Sequence, residues 1–594
     1  MRAVVRRWVW REAEGELPRD LLEAVRDLEP RHDRLLSRLL WNRDVRTGEA
    51  ASAFLRPTLA HGLRSPLLLK DMERASRRLA DAITAGEGIA VYGDYDVDGM
   101  TGAAQLLLGL RALGAAPILH VPQRQSEGYG LNVEALRAFH GAGIRVVVTA
   151  DCGTSNVREL ALAVELGLDV IVCDHHTAPT TRPPAWALLN PFQPGCEFPF
   201  KGLSGAGVVF YLLMGLRMEL RQRGWTDLPD LRPYLDLVAL GTVADMVPLR
   251  EENRVLVSHG LRAIDATQRP GLLALKEVAL VDRASVRAIG FRLAPRLNAG
   301  GRVADARIGV EALTTTDAGR AKELVAQLEI CNAERRALEE VTVAEAVAAV
   351  DAMPPAARAH AIVVAGDGWH PGVVGIVAAR LAERYHRPAV VIGLDGNVGR
   401  GSGRSVRGVP LHEALTECAE LCDSFGGHSQ AVGLTIQRAR VTELRERFTD
   451  GVRRRTTASD LEPLLAIDAE VSLAEVTPSL AADLARLEPF GQGNPEPSLL
   501  ARDVEVEGLR LVGDLSRPHL KVRLHHDQRT VPAIGFGMGH LPIRRGDRVD
   551  VVFAPRLTQW QGAERLELEL VDVRTAQTRP MLQGVDNTSE SHVP

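Results

Sequence analysis

The chain has 594 residues, 45% of them hydrophobic and 25% charged, a globular composition spread over a length that needs several hydrophobic cores. Its 71 basic and 76 acidic residues leave a net charge of −5, so no global field draws in nucleic acid and any such affinity has to come from local patches. No apolar run approaches the roughly 20 residues of a membrane span, the N-terminal MRAVVRRWVWREAEGEL lacks a secretory cleavage pattern, and the six cysteines are scattered without a CxxC pair. A cytoplasmic protein with neither a disulfide framework nor structural zinc is expected.

Residues 1–80 read as an N-terminal helical region, because DLLEAVRDLEPRHDRLLSRLL and MERASRRLADAI carry apolar residues at helical spacing. From 81 to 310 the β-branched runs GIAVY (88–92), IRVVVTA (144–150) and DVIVC (169–173) alternate with helical segments. That is the pattern of βαβ units and predicts an α/β domain with a mostly parallel sheet. Residues 311–354 predict a long connecting helix, stopped by Pro354-Pro355. A second α/β domain is expected over 355–455, with strands at AIVVAG (361–366) and PAVVIG (388–393). Five or so strands between DVEVEG and RLELELVDV predict a small β-barrel over 456–576. The tail, 577–594, lacks apolar periodicity and is expected to be disordered.

The chemistry concentrates at strand ends. In VYGDYDVDGMTG, Asp94, Asp96 and Asp98 alternate directly after a strand. On an extended backbone they face one side, and converging carboxylates call for a cation. A solvated acidic loop or a calcium loop is the alternative. IRVVVTA runs into Asp151 and DVIVC into Asp174-His175-His176, so three strands deliver acid or imidazole to the carboxyl edge of one sheet, where ligands of parallel sheets collect. Asp245 is a lone acid in the apolar segment LVALGTVADMVPL and needs a partner. Carboxylates with imidazoles and no thiolate favour manganese or magnesium over structural zinc. The glycines of RGSGRS (400–405) and FGGH (425–428) would let backbone amides approach a phosphate, with Arg404, Ser405 and His428 adding side-chain contacts; taken alone they read as tight turns. Gly205-Ala206-Gly207 lacks the third glycine of a dinucleotide fingerprint, and no GxxxxGK[ST] phosphate loop occurs.

VYGDYDVDG, VTADCG, DHH and GTVADMVPL resemble, in order, the four motifs of the DHH phosphoesterases, and their spacing is similar to that of the RecJ exonucleases. PRLNAGGR (295–302), HPGVVGIVAARL (370–381), GSGRS and FGGH extend the resemblance, the last three toward the DHH-associated substrate domain. It covers about 85–575 and implies two divalent cations, Mn2+ before Mg2+. Asp96 would hold one cation, Asp98, His175 and Asp245 the other, and Asp151 would bridge them. Asp94 would be a ligand or an orienting acid, Asp174 would orient its neighbouring imidazole, and His176 would face the scissile phosphate. Arg296 or Arg302 would steady phosphoryl charge, with structural salt bridges as their alternative. Tyr92 stands where many DHH phosphatases and pyrophosphatases have a histidine, which argues against a simple pyrophosphatase. The C-terminal strands resemble an OB-like barrel that would take single strands, with Arg517, Lys521, Arg523 and Trp560 as candidates. The implied activity is hydrolysis of single-stranded DNA from 5′ to 3′ to mononucleotides, in DNA repair and recombination. A monomer is expected, with a single-strand-binding protein and a recombination helicase as helpers. Two other classes stay open: a DHH enzyme acting on short oligonucleotides, nucleotide phosphates or cyclic dinucleotides, and a DHH-fold scaffold without catalysis that binds DNA or replication proteins.

Overall fold

The computed structural model describes residues 6–11, 15–29, 31–123, 127–179, 181–514, 518–560, 563–575 and 583–584. The chain forms two units, one made of Trp8–Ala294, Val310–Ala321 and Ala466–Pro594, the other of Pro295–Gly309, Lys322–Leu465 and the first seven residues. Among the described residues no helix is long and apolar enough to cross a membrane.

The first unit holds a five-stranded parallel sheet: β1 (Gly88–Gly93), β2 (Ile118–His120), β3 (Ile144–Ala150), β4 (Asp169–Cys173) and β5 (Ala187–Leu189), in the order β2-β1-β3-β4-β5. The runs GIAVY, IRVVVTA and DVIVC thus fall on strands to within a residue. They are apolar almost throughout because both faces are covered, and Val91, Val148 and Ile171 have no exposed surface. Helix Val97–Ala112 follows β1 and packs against helices Gly205–Gln222 and Leu235–Ala244, so the three form one layer behind the motif-bearing strand ends.

The same unit contains the barrel. Strands Leu499–Val512, His519–His526, Arg529–Gly535, Arg548–Trp560 and Ala563–Thr575 close on themselves through pairing of the first with the fourth. The N-terminal helices Arg19–Leu28, Asp33–Trp41 and Gly48–Leu55 do not stand alone: Leu21, Val25, Leu36 and Leu39 lie in one buried cluster with Leu520, Val522, Phe553 and Leu568 of the barrel. Arg43 locks the seam. It donates to Leu39 O (2.7 Å), Asn494 Oδ1 (3.0 Å), Pro495 O (2.7 Å) and Asp468 Oδ1 (3.3 Å). Arg254, from helix Glu251–Asp265, lies 3.6 Å over the Phe54 ring and donates to the carbonyls of Phe54, Arg486, Leu487 and Glu488. The tail expected from 577 onward lies, apart from 583–584, outside the described residues.

The second unit carries a mixed sheet in which Ile362–Asp367 and Ala389–Asp395 pair in parallel, and Ala389–Asp395, Val398–Arg404, Ala431–Gln437 and Cys422–Gly427 follow as antiparallel neighbours. RGSGRS is therefore mainly strand and not a turn. Its amides are spent in the ladder, and its glycines fit against Ile392, Leu434 and Val432, where a Cβ would have no room. In place of one helix over 311–354, helix Arg307–Thr314 ends and a 34-residue helix, Ala318–Asp351, begins. Asp317 Oδ1 accepts from Arg320 N (2.6 Å) at its start, an N-cap that separates the two.

Candidate metal centre

Asp94 leaves β1 with its amide donating to Ala150 O at the end of β3 (3.1 Å). The backbone then turns at once into helix Val97–Ala112. Asp96 is the N-cap, accepting from Gly99 N (3.1 Å), and Asp98 sits in the first turn. The alternating acids are thus not on an extended strand. The strand-to-helix turn sorts them, grouping Asp94 and Asp96 with Asp151, and Asp98 with His175 and Asp245.

Each member is fixed by its element. Asp98, 1% exposed, accepts from Gly205 N (2.6 Å) and Ala206 N (2.9 Å), the first amides of helix Gly205–Gln222, where the helix dipole favours a negative charge. The Gly205-Ala206-Gly207 run, set aside as a cofactor motif, is the seat of this carboxylate. At Gly205 a Cβ would stand 2.6 Å from the Asp151 Cβ, and at Gly241 2.5 Å from Asp98 Oδ1; only glycine fits. Asp151 follows β3 in a left-handed conformation (φ 66°) with its amide donating to Cys173 O (2.9 Å) at the end of β4. His175 Nε2 lies 3.2 Å from Asp151 Oδ1, 3.4 Å from Asp245 Oδ2 and 3.9 Å from Asp98 Oδ2. Asp174 is spent on its neighbours: it accepts from the amides of Thr154 (2.9 Å), His175 (2.7 Å) and His176 (3.1 Å), and from His176 Nδ1 (2.7 Å).

Burial, with the charges of neighbouring acids, pushes the Asp98 carboxyl up to about 7 and those of Asp151 and Asp245 well above the usual range. For Asp174 burial acts the same way, but the His176 imidazole and the amide donors outweigh it and hold the carboxyl below the ordinary value. Burial likewise lowers His176, yet Asp174 wins and carries it up to about 9. Asp151 Oδ1 and Asp245 Oδ2 are buried without a hydrogen-bond partner among the described residues, and Asp245 caps the C-terminal, negative end of helix Leu235–Ala244. Both misfits are relieved by a cation, and oxygen with imidazole donors suits manganese or magnesium.

Tyr92 is buried. Its hydroxyl donates to Gly130 O (2.7 Å) and accepts from Asn132 Nδ2 (3.1 Å), so it anchors the 127–132 loop. That loop brings in a residue absent from the sequence reading. Tyr129 donates to Asp151 O (3.1 Å), its hydroxyl oxygen lies 3.0 Å from His176 Nδ1, and its ring meets the His176 ring edge-on at 5.4 Å. An aromatic residue between glycines, Gly128 and Gly130, was the available signal.

The remaining candidates are engaged within the second unit. Arg296 donates to Glu329 Oε2 (2.6 Å) and Arg302 to Gly372 O (3.0 Å), at the start of helix Pro371–Tyr385. Arg404 donates to Ser402 Oγ (3.0 Å) and Gly403 O (2.8 Å), Ser405 Oγ to Val409 O (2.6 Å), and His428 N to Ala431 O (2.8 Å) in the hairpin whose Ala431 pairs with Arg404. On the barrel, Lys521 pairs with Glu567 (3.1 Å) and Arg523 with Glu507 (3.5 Å). Arg517 and the Trp560 side chain lie outside the described residues.

Comparison with known proteins gives the class first: residues 88–242 match the DHH family N-terminal domain and 358–454 the DHHA1 domain, so the centre sits on a DHH fold. Residues 467–572 match the RecJ OB domain. The single-stranded-DNA-specific exonuclease RecJ of Dickeya dadantii is 39% identical over 86% of this chain and 88% of that protein, and that of Bacillus subtilis 37% identical over 91% of this chain and 68% of that protein. The crystal structure of RecJ from Thermus thermophilus in complex with Mn2+ covers 97% of this chain and 80% of its own at a TM-score of 0.82 and 32% identity. Its complex with Mg2+ gives 0.76 and 30%, over 98% of this chain and 79% of its own. The chain belongs to the RecJ family.

Proposed function

We propose that this protein is a metal-dependent exonuclease that hydrolyses phosphodiester bonds of single-stranded DNA from the 5′ end, releasing mononucleotides in DNA repair and recombination. The observation that carries the reading is the convergence of Asp98, Asp151, Asp245 and His175, with the buried Asp151 Oδ1 and Asp245 Oδ2 lacking hydrogen-bond partners among the described residues. Asp94, Asp96 and Asp151 would hold one divalent cation, and Asp98, His175 and Asp245 a second, with Asp151 shared. Bound there, Mn2+ or Mg2+ would supply Lewis acidity at the attacked phosphoryl group and lower the pKa of the attacking water. His176 is held by Asp174 through Nδ1 and raised to about 9. With Nδ1 held by Asp174, its Nε2 is left to donate a hydrogen bond to a phosphate oxygen as charge develops. Arg296, Arg302, Arg404, Ser405 and His428 supply further phosphate contacts in this reading, and the barrel favours a polymer over a dinucleotide.

The test is degradation of 5′- and 3′-labelled single-stranded oligonucleotides with Mn2+, beside Asp151→Ala, His175→Ala and a blunt duplex. Immediate mononucleotide release from the 5′ label alone is expected, with both variants losing more than the roughly 10–100-fold typical of an outer-shell change and the duplex left intact. Binding without cleavage would favour a scaffold, and cleavage confined to the shortest oligomers a small-substrate phosphodiesterase.

A further inference from the structure

We propose that Tyr129 is a positioning residue of this centre, its hydroxyl fixing the orientation of His176 and its exposed ring forming the wall against which the nucleoside at the metal centre stacks. The inference rests on the reading of the substrate as a DNA single strand. Among the described residues Asp174 Oδ1 at 2.7 Å and the Tyr129 hydroxyl at 3.0 Å lie within hydrogen-bond distance of His176 Nδ1, with Asp151 Oδ1 further off at 3.8 Å. The hydroxyl donates to the Asp151 carbonyl at 3.1 Å, so its oxygen presents a lone pair to the imidazole N–H. The single Nδ1–H is shared between Asp174 Oδ1 and the Tyr129 hydroxyl, and a ring bracketed in this way aims its other nitrogen, Nε2, along one line.

The loop is braced for this task. Besides Tyr92 on Gly130, Leu131 N donates to Asn156 Oδ1 (3.1 Å), Asn156 Nδ2 to Leu131 O (3.2 Å), and Asn132 Nδ2 to Glu127 Oε2 (2.6 Å). At Gly130 (φ 85°) a Cβ would stand 2.4 Å from Asn156 Oδ1. The tyrosine that this braced loop carries is 46% exposed, so it is accessible to a substrate while its hydroxyl is engaged. An exonuclease that moves along a strand must accept every base, and a flat aromatic surface does so because every base has a π-face. The one residue thereby links the seat of the nucleotide to the aim of His176.

Tyr129→Phe keeps the ring and removes the hydroxyl; Tyr129→Ala removes both. With wild-type Mn2+ binding in each, Tyr129→Phe is expected to lower kcat roughly tenfold or more with little change in KM, and Tyr129→Ala to raise KM roughly fivefold or more in addition. Histidine-selective 15N NMR, with the His176 signal assigned through His176→Asn, should show that signal displaced in Tyr129→Phe and the His175 signal in place. This readout does not need turnover, so it judges the positioning role even for a wild-type chain that fails to cut DNA. An undisturbed His176 signal, wild-type kcat in Tyr129→Phe, or lost Mn2+ binding in both variants would each overturn the proposal.

Discussion

Asp98 and Asp245 sit at opposite poles of two helices. The amides of Gly205 and Ala206 welcome Asp98, whereas Asp245 caps the carbonyl end of its own helix, where the dipole repels it. The amides thus offset part of the cost of ionising the buried Asp98, whereas the helix end adds to that of Asp245. The pH dependence follows. In the metal-free protein a carboxyl such as Asp98, raised from 3.8 to about 7, stays protonated while the unfolded chain ionises, so folding stability falls as pH rises between those values. A bound cation removes the penalty and displaces the protons. The melting temperature of the metal-free protein should therefore drop through that window, and Mn2+ should raise it more at about pH 8 than at about pH 6, as a thermal-shift titration would show. At this scale the acids and both histidines were legible in the sequence, because unpaired acids at the ends of apolar strands stand out. Tyr129 was not, because its local mark, the flanking glycines, does not say that its loop meets Asp151 and His176, 22 and 47 positions further on.

At the scale of elements, the sheet was readable because its strands are short, β-branched and bounded by polar turns. The error over RGSGRS had a physical cause: alternating glycines weaken every strand signal, and their purpose, close packing on Ile392, Leu434 and Val432, is visible only across the sheet. The run 205–207 failed as a motif for a related reason, since its amides face Asp98, more than a hundred positions earlier. That role makes Gly205 a sharp target. Gly205→Ala, a mild change on an ordinary helix, would drive a methyl group into the Asp151 side chain and should weaken Mn2+ binding by about 10–100-fold. Calorimetry of Mn2+ binding checks this, with circular dichroism expected to be unchanged.

In the whole molecule, the least legible feature was the shared core of the N-terminal helices and the barrel. Helical spacing identified the helices, but the partner that buries Leu21, Val25 and Leu36 lies more than 450 residues away, and no sequence pattern states such a pairing. Arg43 sits at that seam with Asp468, both side chains almost without exposed surface. Removing one member of a buried, hydrogen-bonded pair strands the other, so Arg43→Ala should cost about 3–5 kcal/mol. Urea denaturation followed by helix and aromatic signals should show a lower midpoint, while Mn2+ affinity in the absence of denaturant stays close to that of the wild type.

The same seam sets an order of events during synthesis. A ribosome delivers the helices of residues 19–55 first and the barrel strand Ala563–Thr575 among the last parts of the unit, so the apolar faces of those helices wait through most of translation for their cover. Nascent chains of this protein therefore expose apolar surface, and with it a tendency to aggregate, for longer than their parallel sheet alone requires. Chains cut short before the barrel will carry the DHH motifs intact on a body whose helices Arg19–Leu28 and Asp33–Trp41 lack their apolar cover.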